Sequence, residues 1–301
     1  MIEVVNLSKH YGDTTAVDDL SFTVRAGRVT GFLGPNGAGK STTMRMILGL
    51  DNPSSGRALI GGRPYRELKN PLRTVGALLD AKWVHPQRSA RKHLTWIAAM
   101  NGISRARVGE VLDVVGLAEV AGRRAGGFSL GMAQRLGIAT TLLGDPQVLL
   151  FDEPVNGLDP EGIHWIRGLL HRLAEEGRTV LVSSHLLSEM ALTAQDLVVI
   201  GRGKLIAECG VDEFVDRAGD KTVRVRTPRG AELRGLLERR QAMFADDGDA
   251  IVVSGMDTAS IAELAAANGI VLHELSQVRG SLEEAFMRLT SDAVEYHADA
   301  H

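Results

Sequence analysis

Val29-Thr30-Gly31-Phe32-Leu33, then Gly34-Pro35-Asn36-Gly37-Ala38-Gly39-Lys40-Ser41, then Thr42-Thr43-Met44-Arg45-Met46-Ile47-Leu48 read in turn as a buried strand, a glycine-rich loop and an opening helix. A phosphate-binding loop has this order. The glycines let successive backbone N–H groups turn inward around phosphates, Lys40 brings a positive charge to the outermost ones, and the Ser41 hydroxyl can ligate Mg²⁺. Pro35, Asn36 and Ala38 complete the loop, and Thr42 follows as a further candidate contact to nucleotide. A glycine-rich turn that merely starts a helix is the plain alternative, and the strand and helix on either side weigh against it.

Outward from this loop, short β-rich runs alternate with helical patterns, which predicts an α/β architecture with a mixed, largely parallel sheet. The predicted strands are Glu3–Leu7, Ser21–Val24, Val29–Leu33, Val75–Leu79, Val148–Phe151, Thr179–Ser183 and Leu197–Ile200. Three of them end where polar residues begin abruptly: Leu33 before the glycine loop, Phe151 before Asp152-Glu153, and Ser183 before Ser184-His185. Ligands of open parallel sheets bind at the carboxyl ends of strands, so these three ends point to one site. Over about 85–145 the strand signal gives way to helical patterns, among them Ala90–Met100, Arg105–Val115 and Met132–Leu143, and a helical insertion is expected. The texture changes again after Cys209, placing one domain over 1–215 and a small α+β domain over 220–290. Within the second, Thr222–Thr227, Ala250–Ser254 and Val271–Ser276 read as strands and Ala231–Met243 and Thr258–Asn268 as helices. A last helix, Ser281–Thr290, opens on a capping-box pattern, and Ser291–His301 reads as a flexible polar tail.

Composition excludes several classes. At 301 residues the chain can bury its cores without disulfides, and the single Cys209 cannot form an internal one. A net charge of −3 argues against nucleic acid as a partner, since a sequence-independent grip on phosphates needs clustered Lys and Arg. No run approaches the roughly 18 apolar residues of a membrane span, and Met1-Ile2-Glu3-Val4-Val5 lacks the regions of a signal peptide. A cytoplasmic chain is expected, and any spanning segment would belong to another polypeptide.

The phosphate loop alone leaves many reactions open. Val148-Leu149-Leu150-Phe151-Asp152-Glu153 narrows them: it is a buried-strand run ending in adjacent acids, of which Asp152 can hold Mg²⁺ and Glu153 can orient an attacking water as general base. An acidic pair capping a surface strand is the alternative reading of those two residues alone. Tyr11, the loop ending in Lys40-Ser41, Ser129-Leu130-Gly131-Met132-Ala133-Gln134-Arg135, Asp152-Glu153, Asn156-Gly157-Leu158-Asp159 and His185 follow in an order and spacing that resembles the ATP-binding-cassette ATPases. The resemblance covers about residues 1–210, and Leu282-Glu283-Glu284-Ala285-Phe286 near the C-terminus is similar to the branch serving bacterial drug and antibiotic exporters.

The resemblance implies ATP and Mg²⁺ as cofactors, a second cassette as dimer partner, and an integral membrane permease that a peripheral cytoplasmic ATPase would drive. It implies that Tyr11 stacks on adenine and that Ser129 and Gly131 present donors to the γ-phosphate held by the other cassette. It also places His185 at the γ-phosphate beside Glu153 and Asp159 at the cassette interface. Read without the family, Tyr11 is an ordinary turn tyrosine, Ser129 a helix N-cap, His185 a structural histidine and Asp159 a cap before Pro160. The sequence departs from the pattern where Asp80 takes the place of a glutamine that senses Mg²⁺ and contacts the permease. Leu130 and Met132 also replace a glycine and a glutamine of the signature. A carboxylate at Asp80 can still ligate the metal but cannot donate as an amide does. Two other readings follow: a soluble cassette acting as a mechanical or regulatory switch, and a degenerate protein that uses ATP structurally. The absence of a second cassette or an inserted coiled coil weighs against the first. Retention of Lys40, Asp152, Glu153 and His185 weighs against the second.

Overall fold

The computed structural model describes residues 1–80, 84–218, 222–278 and 280–290, so the reading of Ser291–His301 as a flexible tail lies outside the described residues. Two compact units divide the chain, one of Met1–Gly210 and one beginning at Val211.

The first unit opens with β1 (Ile2–Tyr11) and β2 (Thr14–Val24), an antiparallel pair that runs on past the stretches expected from alternation. The reason is a bulge. Asn6 adopts φ 46°, the register of the pair shifts between Val4 and Leu7, and an extra residue in one strand breaks the two-residue period on which sequence reading depends. Then come β3 (Arg28–Leu33), α1 (Lys40–Ile47), β4 (Ser55–Ile60), α2 (Pro71–Thr74) and β5 (Val75–Leu78). β4 joins the other edge of β1 and was not evident in the sequence, because half of its residues are exposed and only Ile60 is buried. Its Gly56 is required by the bulge: a Cβ there would stand 2.1 Å from the Asn6 carbonyl oxygen.

Among the described residues no strand interrupts the span from β5 to β6 (Val148–Asp152), which holds α3 (Ala90–Met100), α4 (Arg105–Val114) and α5 (Leu130–Leu142). Each of these helices starts at a serine whose hydroxyl accepts a backbone N–H of the first turn: Ser89, Ser104 and Ser129. The unit closes with α6 (Pro160–Glu175), β7 (Thr179–Ser183), α7 (Leu187–Thr193), β8 (Asp196–Gly201) and β9 (Lys204–Gly210). The main sheet has the order β5-β6-β7-β3-β8-β9, parallel throughout except for β9. β6, β7 and β3 are therefore neighbours, and the three strand ends that converge in the sequence converge in space.

The sheets pack through a core that includes Ile2, Leu20, Phe22, Phe32, Met44, Ile47, Leu150, Leu181 and Val198. The Phe22 and Phe32 rings lie 5.4 Å apart and tie the antiparallel sheet to the parallel one. Each such buried side chain contributes roughly 1.5–3 kcal/mol, which is what holds the strand ends in register beneath the loop.

The second unit holds α8 (Val211–Ala218), β10 (Thr222–Arg226), α9 (Gly230–Arg239), β11 (Met243–Asp247), β12 (Ala250–Ser254), α10 (Thr258–Ala267), β13 (Glu274–Val278) and α11 (Leu282–Thr290). Its antiparallel sheet runs β11-β12-β10-β13 over its own core, which includes Val223, Val225, Leu233, Leu237, Ile251, Val253 and Ile261. α8 packs on α11, so the division falls at Val211 rather than at the expected break between 215 and 220. The expected helix Ala231–Met243 ends at Arg239, because Met243 begins β11. The expected strand Val271–Ser276 is displaced to Glu274–Val278 by its register with β10.

Candidate active site

The loop between β3 and α1 is built by steric demands that only glycine meets at two positions. Gly39 sits at φ +100° with its Cα so close to β2 that a Cβ would stand 2.5 Å from the Ala16 carbonyl oxygen. At Gly34 the same added atom would meet the Ile200 carbonyl oxygen at 2.5 Å. The loop is thereby pressed against the sheet, with α1 starting directly from Gly39. Lys40, buried in the first turn, donates to the carbonyl oxygens of Gly34 at 2.6 Å and Pro35 at 3.1 Å. Burial pulls its ammonium below the ordinary lysine value, against the pull of the Glu153 and Asp152 carboxylates. A desolvated cation of this kind is poised for an anion.

Asn36, Gly37, Ala38, Gly39, Lys40, Ser41 and Thr42 line one side of an open cleft of ≈ 340 Å³, and Asp152 and Glu153 line the other. Ser41 Oγ donates to Asp152 Oδ2 at 2.8 Å, so the helix start and the end of β6 meet through two of the three oxygen donors that the sequence nominated for metal. Ser183, fully buried at the end of β7, bridges the two acids: its hydroxyl donates to Asp152 Oδ1 at 2.5 Å and accepts the Glu153 N–H at 3.0 Å. Sequence reading treated Ser183 only as a strand end, and a lone serine there carries no motif. Glu153 adopts φ 49°, and its Oε2 accepts from the His185 ring at 2.7 Å when Nδ1 carries the proton. The three strand ends thus deliver one cluster of Lys40, Ser41, Asp152, Glu153 and His185.

The remaining candidates sit around this cluster. Tyr11 ends β1 with half its surface exposed, and its hydroxyl donates to Asp51 at 3.2 Å. Asp80 follows β5 and lines a neighbouring groove, while the cleft's own lining on that side is Leu79. Ser129 caps α5 by accepting the Met132 N–H at 3.2 Å, with Gly131 next to it in the first turn. Asp159 caps α6 by accepting the Gly162 N–H at 2.8 Å. The capping readings of Ser129 and Asp159 are therefore realised in the single chain. α5 is held to the site from within: Gln134 Nε2 donates to the Pro154 carbonyl oxygen at 2.9 Å, and the Arg135 guanidinium lies 4.4 Å from the Trp165 ring centre on α6.

A strand, glycine loop and helix beside a second strand ending in adjacent acids define a P-loop nucleotide-binding ATPase. Residues 17–156 match the family model described as ABC transporter, and residues 221–283 match a domain of unknown function. An ABC transporter ATP-binding protein of Bacillus subtilis, YhcH, is 38% identical over 299 residues, covering 98% of this chain and 97% of the relative. The bacitracin transport ATP-binding protein BcrA of Enterococcus faecalis is 34% identical over 296 residues, 96% of each chain. Among solved structures, one titled as the ATP-binding subunit of an ABC transporter is similar with TM-score 0.66 and 28% identity, covering 72% of this chain and 92% of that one. A dimeric bacterial ABC transporter cassette is similar with TM-score 0.64 and 25% identity, covering 70% of this chain and 98% of that one. The chain belongs to the ATP-binding subunits of ABC transporters, ATPases that couple hydrolysis to transport. It binds ATP, and among its described residues no helix is long and apolar enough to cross a membrane.

Proposed function

We infer that two copies of this chain close on Mg²⁺ATP and that the cycle of closure, hydrolysis and reopening drives a separate membrane permease that exports an antibiotic-like compound. The observation that carries this reading is the pairing of Glu153 with His185 across the cleft from Lys40 and the phosphate loop. In it, the loop N–H groups and Lys40 hold the β- and γ-phosphates. Glu153 takes the proton of a water whose oxygen attacks the γ-phosphorus as the bond to ADP breaks, and His185 holds that carboxylate in place and contacts the γ-phosphate.

Mg²⁺ fits the hard oxygen donors Ser41 Oγ and Asp152. No group of three His, Cys, Asp or Glu side chains able to hold a metal stands among the described residues, so nucleotide oxygens and water would complete the shell. The metal supplies charge neutralisation at the transferring phosphoryl group. Ser129 and Gly131, at the positive end of α5, would face the γ-phosphate held by a second copy. Asp159 would lie in the interface between copies. The bacitracin relative supports an antibiotic-like cargo.

Permease docking is supported by a groove of ≈ 400 Å³ between the sheet and the helical segment, lined by Leu50, Tyr65, Leu72, Asp80, His93 and Trp96 among others. Trp96 and Leu50 are half-exposed there, and the His93 Nδ1 is buried with no hydrogen-bond partner. On this reading the chain sits peripherally on the inner membrane face. Asp80 then serves the docking surface more directly than the metal.

Glu153→Gln tests the chemistry. ATP turnover should fall at least roughly a hundredfold while nucleotide affinity is retained, because the proton acceptor is lost and the shape is kept. Turnover equal to the parent, with Mg²⁺ present, would overturn the assignment.

A further inference from the structure

The base platform has a brace of its own. Tyr11 is half-exposed at a strand end, where a free phenol would sample several rotamers, yet its hydroxyl donates to Asp51 Oδ2 at 3.2 Å. Asp51 is gripped by two nitrogens of one guanidinium, Arg45 Nε at 2.8 Å and Nη2 at 3.1 Å. Such two-pronged pairs fix direction as well as distance. Arg45 lies on α1, whose first turn carries Lys40, Ser41 and Thr42. The hydrogen bond from Arg45 holds the Asp51 carboxyl below its ordinary value, so it accepts only and the phenol must donate to it. One face of the Tyr11 ring is covered by the Lys9 ammonium, 4.9 Å from its centre, and that ammonium in turn donates to the Asn52 carbonyl oxygen at 2.7 Å. A base can stack only on the other face.

We propose that Asp51, braced by Arg45, is a positioning residue that sets the Tyr11 ring at a fixed distance from the phosphate loop and thereby determines nucleobase affinity while touching neither base nor phosphate. The chain of contacts runs from ring to Asp51 to Arg45 to α1, so the platform and the phosphate cradle move as one piece. This rests on the reading of Tyr11 as the adenine platform, and the experiment separates the two.

The full-length chain is titrated calorimetrically with a non-hydrolysable ATP analogue and with inorganic tripolyphosphate, which has phosphates and no base. Tyr11→Ala, Tyr11→Phe, Asp51→Ala and the double variant Tyr11→Phe/Asp51→Ala are compared with the parent. Tyr11→Ala should weaken the analogue at least about fivefold, the scale of one lost base–aromatic stack. Tyr11→Phe keeps the ring and removes the hydroxyl. It and Asp51→Ala should each weaken the analogue by about three- to tenfold. The double variant should be no weaker than the worse single one, because both remove the same bond. Tripolyphosphate affinity should be unchanged in all four.

If Asp51→Ala weakens tripolyphosphate as much as the analogue, Asp51 is only a structural support of the loop. If the two single effects multiply in the double variant, Asp51 does not act through the phenol. If Tyr11→Ala weakens the analogue but Tyr11→Phe and Asp51→Ala do not, the positioning role falls and the platform stands. If Tyr11→Ala leaves the analogue unaffected, the adenine reading of Tyr11 falls, and the brace with it.

Discussion

Glu153 carries the one conformation in the site that its side chain does not favour, φ 49°, which costs on the order of 1–2 kcal/mol in a residue with a Cβ. Its N–H is held by Ser183 Oγ and its carboxylate by His185, so the surrounding bonds offset that strain. Ser183→Ala would leave the Glu153 N–H without its acceptor and Asp152 without one donor. We expect ATP turnover to drop roughly tenfold or more, with a smaller change in nucleotide affinity, checked by steady-state kinetics beside calorimetric binding. Lys40 gives a second prediction, and its sign follows from burial. Its pKa is lowered in the empty site, and nucleotide phosphates restore it, so binding takes up protons at alkaline pH below the ordinary lysine value of 10.5 and weakens as pH rises through that window. Calorimetry in buffers of different ionisation enthalpy measures this uptake, and none would mean that Lys40 stays charged throughout. Lys40, Asp152 and Glu153 were legible because motif and strand context agree on them. Ser183 and Asp51 were not, since each acts through a neighbour that only folding brings near.

At the scale of elements, α5 is coupled to the segment that leads from β6 to α6, partly through a departure from the family pattern. Leu130 lies over Gly157, where a Cβ would stand 2.0 Å from Leu130 Cδ2, and Gly157 itself sits at φ +75°. The signature leucine therefore fills space that glycine leaves open in the loop before Asp159, which a sequence comparison registers only as a replaced glycine. Gly157→Ala should destabilise the first unit by about 1–3 kcal/mol through both strain and overlap, and Leu130→Gly in the same chain should recover the part due to overlap. Denaturant unfolding measures both, and full additivity would show that the two residues do not share the contact. Strands were legible where burial imposes alternation or an apolar run, as at β6 and β7, which are buried except at the Asp152 end of β6. They were hidden where it does not. β4, β9 and β11 are edge strands with few buried residues, so neither an apolar run nor a clean alternation marks them, and β4 in addition pairs with β1, some fifty residues earlier.

At the scale of the whole molecule, two cores predict two folding units with separate responses to ligand. The core beneath the phosphate loop lies within Met1–Gly210 and that of the four-stranded sheet within the unit beginning at Val211. On the proposed reading nucleotide binds the first. Saturating it at about a hundred times its Kd should raise the stability of that unit by about 2.7 kcal/mol and leave the second transition unmoved. The sequence placed the boundary a few residues late because α8 is a short amphipathic helix at the junction, and its apolar face does not itself say which unit it joins. Its partner is α11, at the far end of the unit, where Phe214 and Phe286 are both buried. A unit of this size is marginal, and losing two buried aromatic side chains removes several kcal/mol. A fragment of residues 211–290 should therefore unfold cooperatively, whereas one of residues 222–278, which keeps every strand of the sheet but neither helix, should be far less stable. Circular dichroism melts of the two fragments decide it. Equal midpoints would mean that α8 and α11 contribute nothing to the second unit's core.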